Sequence, residues 1–164
     1  LLPEIFPALK EYFGEYEVVS AEEQLYEPVK EYAESEYDFK GFIDLVVKTN
    51  DGKYHILDWK TCTWGWDARK KSSKMIVYQL IFYKHYFALK YDIDPNDIET
   101  HFALLKRTAK KNKVEIFRVT SGKKRTENAL KALKNSLYYI DKKFYIKNRL
   151  SCNYCEFRKT EHCR

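Results

Sequence analysis

The sequence predicts an α/β (α+β) domain in which helices flank a central mixed β-sheet. Three observations predict it. β-Rich and helical runs follow one another in the order β-β-β-α-β-β-α. Two of the β-rich runs flank Thr49-Asn50-Asp51-Gly52, which is a strong hairpin signal. The chain has 164 residues, 45% of them hydrophobic, and shows no repeat and no low-complexity linker, so we expect one domain over residues 1–164.

The first half of the chain supplies a helix and three strands. We expect the end of a helix over 3–13, a polar connection over 31–38, and strands over 18–29, 40–48 and 53–61. Pro28 has no backbone N–H, which places the end of the first strand at a sheet edge or a bulge. The second and third strands form an antiparallel hairpin around the Thr49–Gly52 turn.

The second half supplies a long helix, two strands and a final helix. Met75, Tyr78, Phe82 and Tyr86 repeat at helical spacing and predict a helix over 73–91, which ends before Asp94-Pro95. Strands are expected over 100–107 and 114–120. Ser121 is expected to cap a helix that runs to about Phe144, and a cysteine-bearing tail over 150–164 is expected to pack on the domain.

The net charge of +6 is unevenly distributed. Residues 1–38 carry 11 acidic and two basic residues, whereas residues 39–164 carry 28 basic and 13 acidic ones. A basic body favours a polyanionic partner, most often nucleic acid, although an ordinary lysine-rich surface gives the same sum. The longest uncharged run, Met75–Tyr83, is too short to span a membrane. There is no signal-peptide pattern, and the clustered cysteines suggest a reducing cytoplasm.

Two carboxylates stand inside apolar strands. Asp44 lies in Gly41-Phe42-Ile43-Asp44-Leu45 and Asp58 in Ile56-Leu57-Asp58-Trp59-Lys60. A hairpin symmetric about Asp51 pairs the two carboxylates across the strands, about 5 Å apart at Cβ. Because like charges so close repel, the pair calls for a divalent cation, and oxygen ligands suit Mg²⁺ or Mn²⁺. Strand alternation puts Lys60 on the same face as Asp58.

The simpler alternative is that Asp58 and Lys60 form an ordinary ion pair and that Asp44 marks a strand end. For either feature alone this alternative is the better explanation. The apolar flanks and the hairpin spacing together favour a catalytic site, which a one-residue register slip would exclude.

These residues resemble the signature of the PD-(D/E)xK nucleases. Gly41-Phe42-Ile43-Asp44, then Asp58-Trp59-Lys60-Thr61, then Gln79 and Tyr83 on a helix are similar to the RecB-like exonuclease branch, which includes CRISPR adaptation nucleases and phage exonucleases. The resemblance covers about residues 18–163. It implies a restriction-endonuclease-like core and a Mg²⁺- or Mn²⁺-dependent deoxyribonuclease.

The resemblance also implies roles for individual residues. Asp44, Asp58 and the backbone carbonyl of Trp59 would bind the catalytic metal, and Lys60 would orient the attacking water. Gln79 and Tyr83 would support the site or touch the substrate backbone. Glu22 resembles an upstream acidic position of the family; its neighbour Glu23 is the alternative, and regular alternation allows only one of them to face the site. The histidine that some members contribute from upstream has no counterpart before Glu22, which leaves the number of metals open.

Basic and aromatic residues follow the third strand and are candidates for DNA binding. Tryptophans can stack on unpaired bases, although these two would equally well close the edge of the core. Lysines and arginines contact phosphates. The candidates are Trp64, Trp66, Arg69, Lys70, Lys71 and Lys74.

The tail carries three closely spaced cysteines, Cys152, Cys155 and Cys163. Thiolates bind zinc or iron–sulfur clusters. In the RecB-like branch such a trio resembles that of members with a [4Fe–4S] cluster, but their upstream fourth cysteine is missing here. Three alternatives remain: a cluster completed by Cys62 or lacking a fourth ligand, a zinc site completed by His162, and free thiols.

The function expected from these features is metal-dependent hydrolysis of DNA phosphodiester bonds. By resemblance we expect an exonuclease that processes single strands or duplex ends in recombination, repair or phage replication of a bacterial, archaeal or phage-infected cell. An endonuclease of the same fold is one alternative. A catalytically inactive DNA-binding or assembly module is another, which the intact Asp44, Asp58 and Lys60 disfavour. Neither the oligomeric state nor the pathway follows from the sequence.

Overall fold

The computed structural model describes residues 2–34, 36–144, 149–161 and 163. Its elements follow the predicted order. They are α1 (Leu2–Phe13), β1 (Tyr16–Pro28), β2 (Asp38–Thr49), β3 (Tyr54–Cys62), α2 (Ala68–Lys71), α3 (Lys74–Tyr91), β4 (Ile98–Lys106), β5 (Val114–Val119) and α4 (Lys123–Asp141), with 3₁₀ turns at Pro95–Asp97 and Arg149–Tyr154.

The five strands form one mixed sheet in the order β1-β2-β3-β4-β5. All neighbouring pairs are antiparallel except β3 and β4, which are parallel. A parallel pair needs a crossover connection, and α3 provides it between β3 and β4. The predicted α+β architecture with a mixed sheet is therefore confirmed. Pro28 lies at the end of the edge strand β1, where it interrupts no ladder within the sheet.

Helices cover both faces of the sheet. On one face α3 and α4 bury the larger core, which includes Ile56, Leu80, Phe87 and Phe102. On the other face α1 covers a smaller cluster around Leu9 and Leu57. We call these the α3 face and the α1 face. None of the helices in the described part of the chain is long and apolar enough to cross a membrane.

The start and end of the last helix differ from the prediction. Ser121 does not cap it, because the buried Ser121 hydroxyl lies 3.0 Å from Thr100 Oγ1 and accepts a hydrogen bond from it. Gly122 takes the cap position instead, and the helix begins at Lys123. The helix ends at Asp141 rather than near Phe144, and Lys143 just beyond it adopts a positive φ.

Candidate active site

The β2–β3 hairpin has the predicted register. Leu45 pairs with Leu57 and Val46 with Ile56, which makes the hairpin symmetric about Asp51. Inside the turn, Gly52 N donates to Thr49 O at 2.9 Å and Thr49 N donates to Lys53 O at 3.0 Å. A regular continuation of this register would set Asp44 opposite Asp58, but the paired residues end at Leu45 and Leu57.

β2 is irregular at Asp44. Ile43 and Val46 both lie in the core on the α3 face, although residues three apart in a regular strand point to opposite faces. The ladder with β3 stops at the Leu45–Leu57 pair. Beyond it, Asp44 Oδ2 accepts a hydrogen bond from the backbone N–H of Trp59 at 2.6 Å. The carboxylate thus occupies the position at which the next backbone carbonyl of β2 would pair with β3.

Asp58 is a buried carboxylate next to a cation. Only 2% of its surface is exposed, and its Oδ2 lies 2.7 Å from Lys60 Nζ. Among the described residues, no donor makes a well-aligned hydrogen bond to this oxygen. Burial raises the pKa of Asp58, the neighbouring Lys60 lowers it, and the charge of Asp44 raises it again. The predicted sharing of one face by Asp58 and Lys60 is therefore present in the fold.

The backbone of Trp59 faces the same gap. Its N–H points to Asp44, and in a strand the N–H and C=O of one residue point toward the same neighbour. The Trp59 carbonyl is therefore directed to the side where β2 leaves the ladder. Two carboxylates and a carbonyl supply the hard oxygen donors that Mg²⁺ and Mn²⁺ prefer. Asp58 is paired with Lys60 and lies beside the charge of Asp44, which leaves one negative charge in excess for a bound cation to compensate.

Glu22 and Glu23 of β1 have different environments. Glu23 lies 2.7 Å from Lys90 Nζ and accepts a hydrogen bond from the Tyr91 hydroxyl, so α3 engages it. Glu22 is exposed and adopts φ 53°, a conformation that costs a non-glycine residue about 1–2 kcal/mol. The β1–β2 register on either side, Ala21 with Leu45 and Glu23 with Ile43, sets Glu22 opposite Asp44.

Gln79 and Tyr83 of α3 are hydrogen-bonded to each other, with 2.9 Å between Gln79 Nε2 and Tyr83 Oη. The Tyr83 ring lies directly on Gly41 of β2. A Cβ at this glycine would be 2.7 Å from Tyr83 Cε1 and 3.1 Å from the Phe39 ring. The glycine of the G-x-x-D segment therefore allows the tyrosine to approach the strand that carries Asp44.

The predicted DNA-binding residues divide into exposed and engaged ones. Trp64 is 75% exposed, and Arg69, Lys70 and Lys74 are also exposed. Trp66 instead packs on Phe102 and Phe117, and Lys70 Nζ lies 4.7 Å from the centre of the Trp66 ring. Lys71 forms an ion pair of 2.6 Å with Glu115. Trp66 therefore closes the edge of the core, which was the alternative for the tryptophans, and Lys71 already has an anionic partner.

The four cysteines have free thiols. Cys62, Cys152, Cys155 and Cys163 are free, and Cys62 lies beside the core on the α3 face. In the part of the chain that the structure describes, no cluster of three or more metal-ligating side chains includes a cysteine. His162, the alternative fourth zinc ligand, lies outside the described residues.

A second polar cluster was not singled out by the sequence. His55, Glu99 and His101 come together on the α1 face, with their ligand atoms within 4.8 Å of one another. Glu99-Thr100-His101 is an E-x-H segment of a strand, and this spacing does place both side chains on one face. The third member, His55, depends on the β3–β4 pairing, for which the sequence carries no local signal.

Comparison with solved structures supports the fold. The crystal structure of SSO0001 aligns with a TM-score of 0.54 and 14% identity over 94% of this chain. The chain spans 64% of the length of that protein, and at this identity the likeness concerns the fold alone. A comparison with curated protein sequences gives no significant match.

Family membership rests on a sequence comparison that covers nearly the whole chain. The family model of the PD-(D/E)XK nuclease superfamily matches residues 4–162, a range that includes β2, β3 and α3 and hence the residues of the candidate site. The chain therefore belongs to the PD-(D/E)XK nuclease superfamily.

Proposed function

We propose that this chain is a Mg²⁺- or Mn²⁺-dependent deoxyribonuclease that hydrolyses phosphodiester bonds. The observation that carries the proposal is the buried carboxylate of Asp58, which contacts the Lys60 ammonium and lies next to Asp44 at the gap between β2 and β3. Burying the Asp58 carboxylate costs several kcal/mol unless a cation compensates it, and the half-buried Asp44 adds a second negative charge beside it. Because the chain belongs to a nuclease superfamily, metal binding is the best explanation for carboxylates held at this cost.

The roles of the residues follow from their positions. Asp44, Asp58 and the Trp59 carbonyl would hold the metal. A bound divalent ion supplies a Lewis acid that polarises the scissile phosphate and lowers the pKa of water. Lys60, on the same face as Asp58, would orient the attacking water and stabilise negative charge that develops on the phosphate.

Two further groups of residues would serve the same reaction. Glu22 would add a carboxylate from the edge strand, where the register sets it opposite Asp44. The bonded pair of Gln79 and Tyr83 would support β2 at Gly41 or touch the substrate backbone. For DNA, the exposed Trp64, Arg69, Lys70 and Lys74 offer stacking and phosphate contacts, whereas Lys71 would first have to leave Glu115.

Within the superfamily we propose the RecB-like branch for this chain, which the G-x-x-D, D-x-K-T and Q-x-x-x-Y segments on β2, β3 and α3 support. By resemblance to members of that branch, the proposed action of this chain is exonucleolytic, on single strands or duplex ends, in recombination, repair or phage DNA processing. Endonuclease action is the second candidate. The tail cysteines would add a structural [4Fe–4S] cluster or zinc ion and would attach residues 150–164 to the single domain. Four free thiols fit a reducing compartment such as a cytoplasm.

A cleavage assay tests the proposal. The protein is incubated with linear duplex, single-stranded and closed circular DNA in Mg²⁺, Mn²⁺ or EDTA. We expect metal-dependent loss of the linear substrates and intact circles. Asp58→Asn should abolish the activity, and Asp92→Asn is the matched control, because Asp92 is an exposed helix cap whose positive φ asparagine tolerates.

The outcomes separate the candidates. Cleavage of closed circular DNA would show that the enzyme is an endonuclease and would rule out a purely exonucleolytic activity. Binding of DNA without cleavage in either metal would support the inactive module. Full activity of Asp58→Asn would refute the proposed catalytic site.

A further inference from the structure

The cluster of His55, Glu99 and His101 lies on the α1 face, away from the candidate active site. His55 packs against Phe13 of α1, with 4.8 Å between the ring centres, while Asp58 and Lys60 belong to the opposite face of β3. Both histidines are buried, 7% and 2% exposed, and Glu99 is 18% exposed. None of the three has a role in the proposed nuclease reaction.

Three ligand atoms converge within this cluster. His55 Nδ1 lies 3.1 Å from His101 Nε2, and Glu99 Oε2 lies 3.9 Å from the first and 4.0 Å from the second. In a tetrahedral zinc site with bonds of 2.0–2.1 Å, ligand atoms are about 3.3 Å apart. The two nitrogens already have nearly this separation, and the carboxylate needs a movement of about 0.6 Å to reach it, measured against the same geometry.

The hydrogen bonds behind His55 fix its tautomer. Thr49 Oγ1 has one hydrogen, which it donates to Asp51 Oδ1 at 2.5 Å, because a carboxylate can only accept. Thr49 Oγ1 lies 2.9 Å from His55 Nε2, so it must accept the hydrogen bond that the Nε2–H of His55 donates. A neutral His55 therefore presents the lone pair of Nδ1 to His101 and Glu99, as a metal-ligating histidine does.

The other ligands are also held from behind. Arg118 Nη2 lies 3.1 Å and Lys53 Nζ 3.9 Å from Glu99 Oε1, so the second oxygen of this carboxylate remains directed to the histidines. The Tyr12 hydroxyl lies 3.4 Å from His101 Nδ1, the ring nitrogen opposite the cluster. Such outer partners orient ligands in zinc sites. The cluster also lines an open depression, which leaves space for a water or another small fourth ligand.

We infer that His55, Glu99 and His101 form a binding site for a divalent transition metal of the zinc type. Two imidazole nitrogens and one carboxylate oxygen suit Zn²⁺ and not Mg²⁺, which prefers oxygen ligands. The site would join β3 and β4 on the α1 face, independently of the nuclease centre. A neutral pair of histidines joined by one hydrogen bond is the alternative that the experiment must distinguish.

Zinc binding to the chain of 164 residues tests the inference. Cys152, Cys155 and Cys163 are replaced by serine to remove the thiol ligands of the tail, and excess Mg²⁺ occupies the oxygen-donor site. Equilibrium dialysis against ZnCl₂ with elemental analysis should then give one zinc per chain. Glu99→Gln should weaken zinc binding at least tenfold and His101→Gln about a hundredfold. With Co²⁺ as probe, visible d–d bands should appear without thiolate charge-transfer bands.

Glu115→Gln is the matched control, because Glu115 is a half-buried glutamate that also pairs with two basic residues but has no ion pair with any described histidine. It should bind zinc like the cysteine-free parent. Circular dichroism reports whether each variant folds, and if His101→Gln does not, the less buried Glu99→Gln carries the comparison. No zinc binding by the folded parent, or unchanged affinity in folded Glu99→Gln, overturns the inference.

Discussion

Replacing Gly41 by alanine tests the packing that links the G-x-x-D segment to α3. The added Cβ would be 2.7 Å from Tyr83 Cε1 and 3.1 and 3.3 Å from two atoms of the Phe39 ring. Real Cβ atoms essentially never come within 3.0 Å of another heavy atom, and the aromatic rings that would have to shift lie in the core. Overpacking of this kind costs about 1–3 kcal/mol. For a chain of this size the midpoint of thermal unfolding should fall by about 2–12 °C.

Thermal and urea unfolding of Gly41→Ala and of the control Gly122→Ala measure this cost. Gly122 has no atom within 4 Å of a Cβ and a negative φ, so its substitution creates no clash and should cost only about 0.5–1 kcal/mol through the change at the helix cap. In a Tyr83→Leu background the effect of Gly41→Ala should shrink, because the nearest ring atom is gone. Equal stability of the two alanine variants, or an undiminished effect in that background, would refute the argument from close approach.

Three further predictions concern single side chains. Lys60→Ala should lower the rate of DNA cleavage at least 100-fold with far-UV circular dichroism unchanged, since its ammonium contacts Asp58; a rate near that of the wild type would exclude Lys60 from the chemistry. Glu22→Gln should reduce cleavage without lowering stability, whereas Glu23→Gln should lower the unfolding midpoint because it loses two partners on α3; the opposite pattern would reverse their assignment. The hydrogen bond from Lys71 holds the pKa of Glu115 below its ordinary value, so this carboxylate stabilises the fold above about pH 4.5 and loses that contribution as the pH falls through its lowered pKa. Urea unfolding of Glu115→Gln should therefore show a deficit at pH 7 that shrinks toward pH 3, and a deficit independent of pH would contradict it.

Local chemistry accounts for what the sequence predicted correctly. The Thr49–Gly52 turn sets the hairpin register, and alternation within β3 brings Asp58 and Lys60 to one face. Helical spacing likewise predicted the pair of Gln79 and Tyr83 on α3. These features depend on residues close to one another in the chain, so turn chemistry and periodicity suffice to predict them.

The remaining features depend on contacts between distant segments. Glu22 and Glu23 would alternate between the two faces of a regular strand, but Glu22 has a positive φ and β2 reverses its faces between Ile43 and Val46. Nothing in the sequence marks such an irregularity, since neither position is glycine or proline. Serine is a favoured helix cap, but the Ser121 hydroxyl bonds to Thr100 of β4 instead of to the start of the helix.

The ion pair of Lys71 and the histidine cluster also depend on contacts between segments that are distant in the chain. Lys71 carries the positive charge of a phosphate ligand, but the fold pairs it with Glu115, which is 44 residues away in the chain. His55 and His101 are 46 residues apart and meet only because β3 and β4 are parallel neighbours. A crossover through α3 sets this pairing, and sequence periodicity within either strand does not reveal it.

Local paramagnetic broadening by Mn²⁺ tests the central claim, that Asp44 and Asp58 hold a divalent cation at the gap between β2 and β3. Substoichiometric Mn²⁺ is added to the ¹⁵N-labelled chain, and the backbone amide signal of Trp59, which bonds to Asp44, is followed by NMR. We expect this signal to broaden in the wild type and in Asp92→Asn and to stay sharp in a folded Asp58→Asn variant. A Trp59 amide unaffected by Mn²⁺ in a protein that cleaves DNA, or one that broadens equally in Asp58→Asn, would contradict the claim.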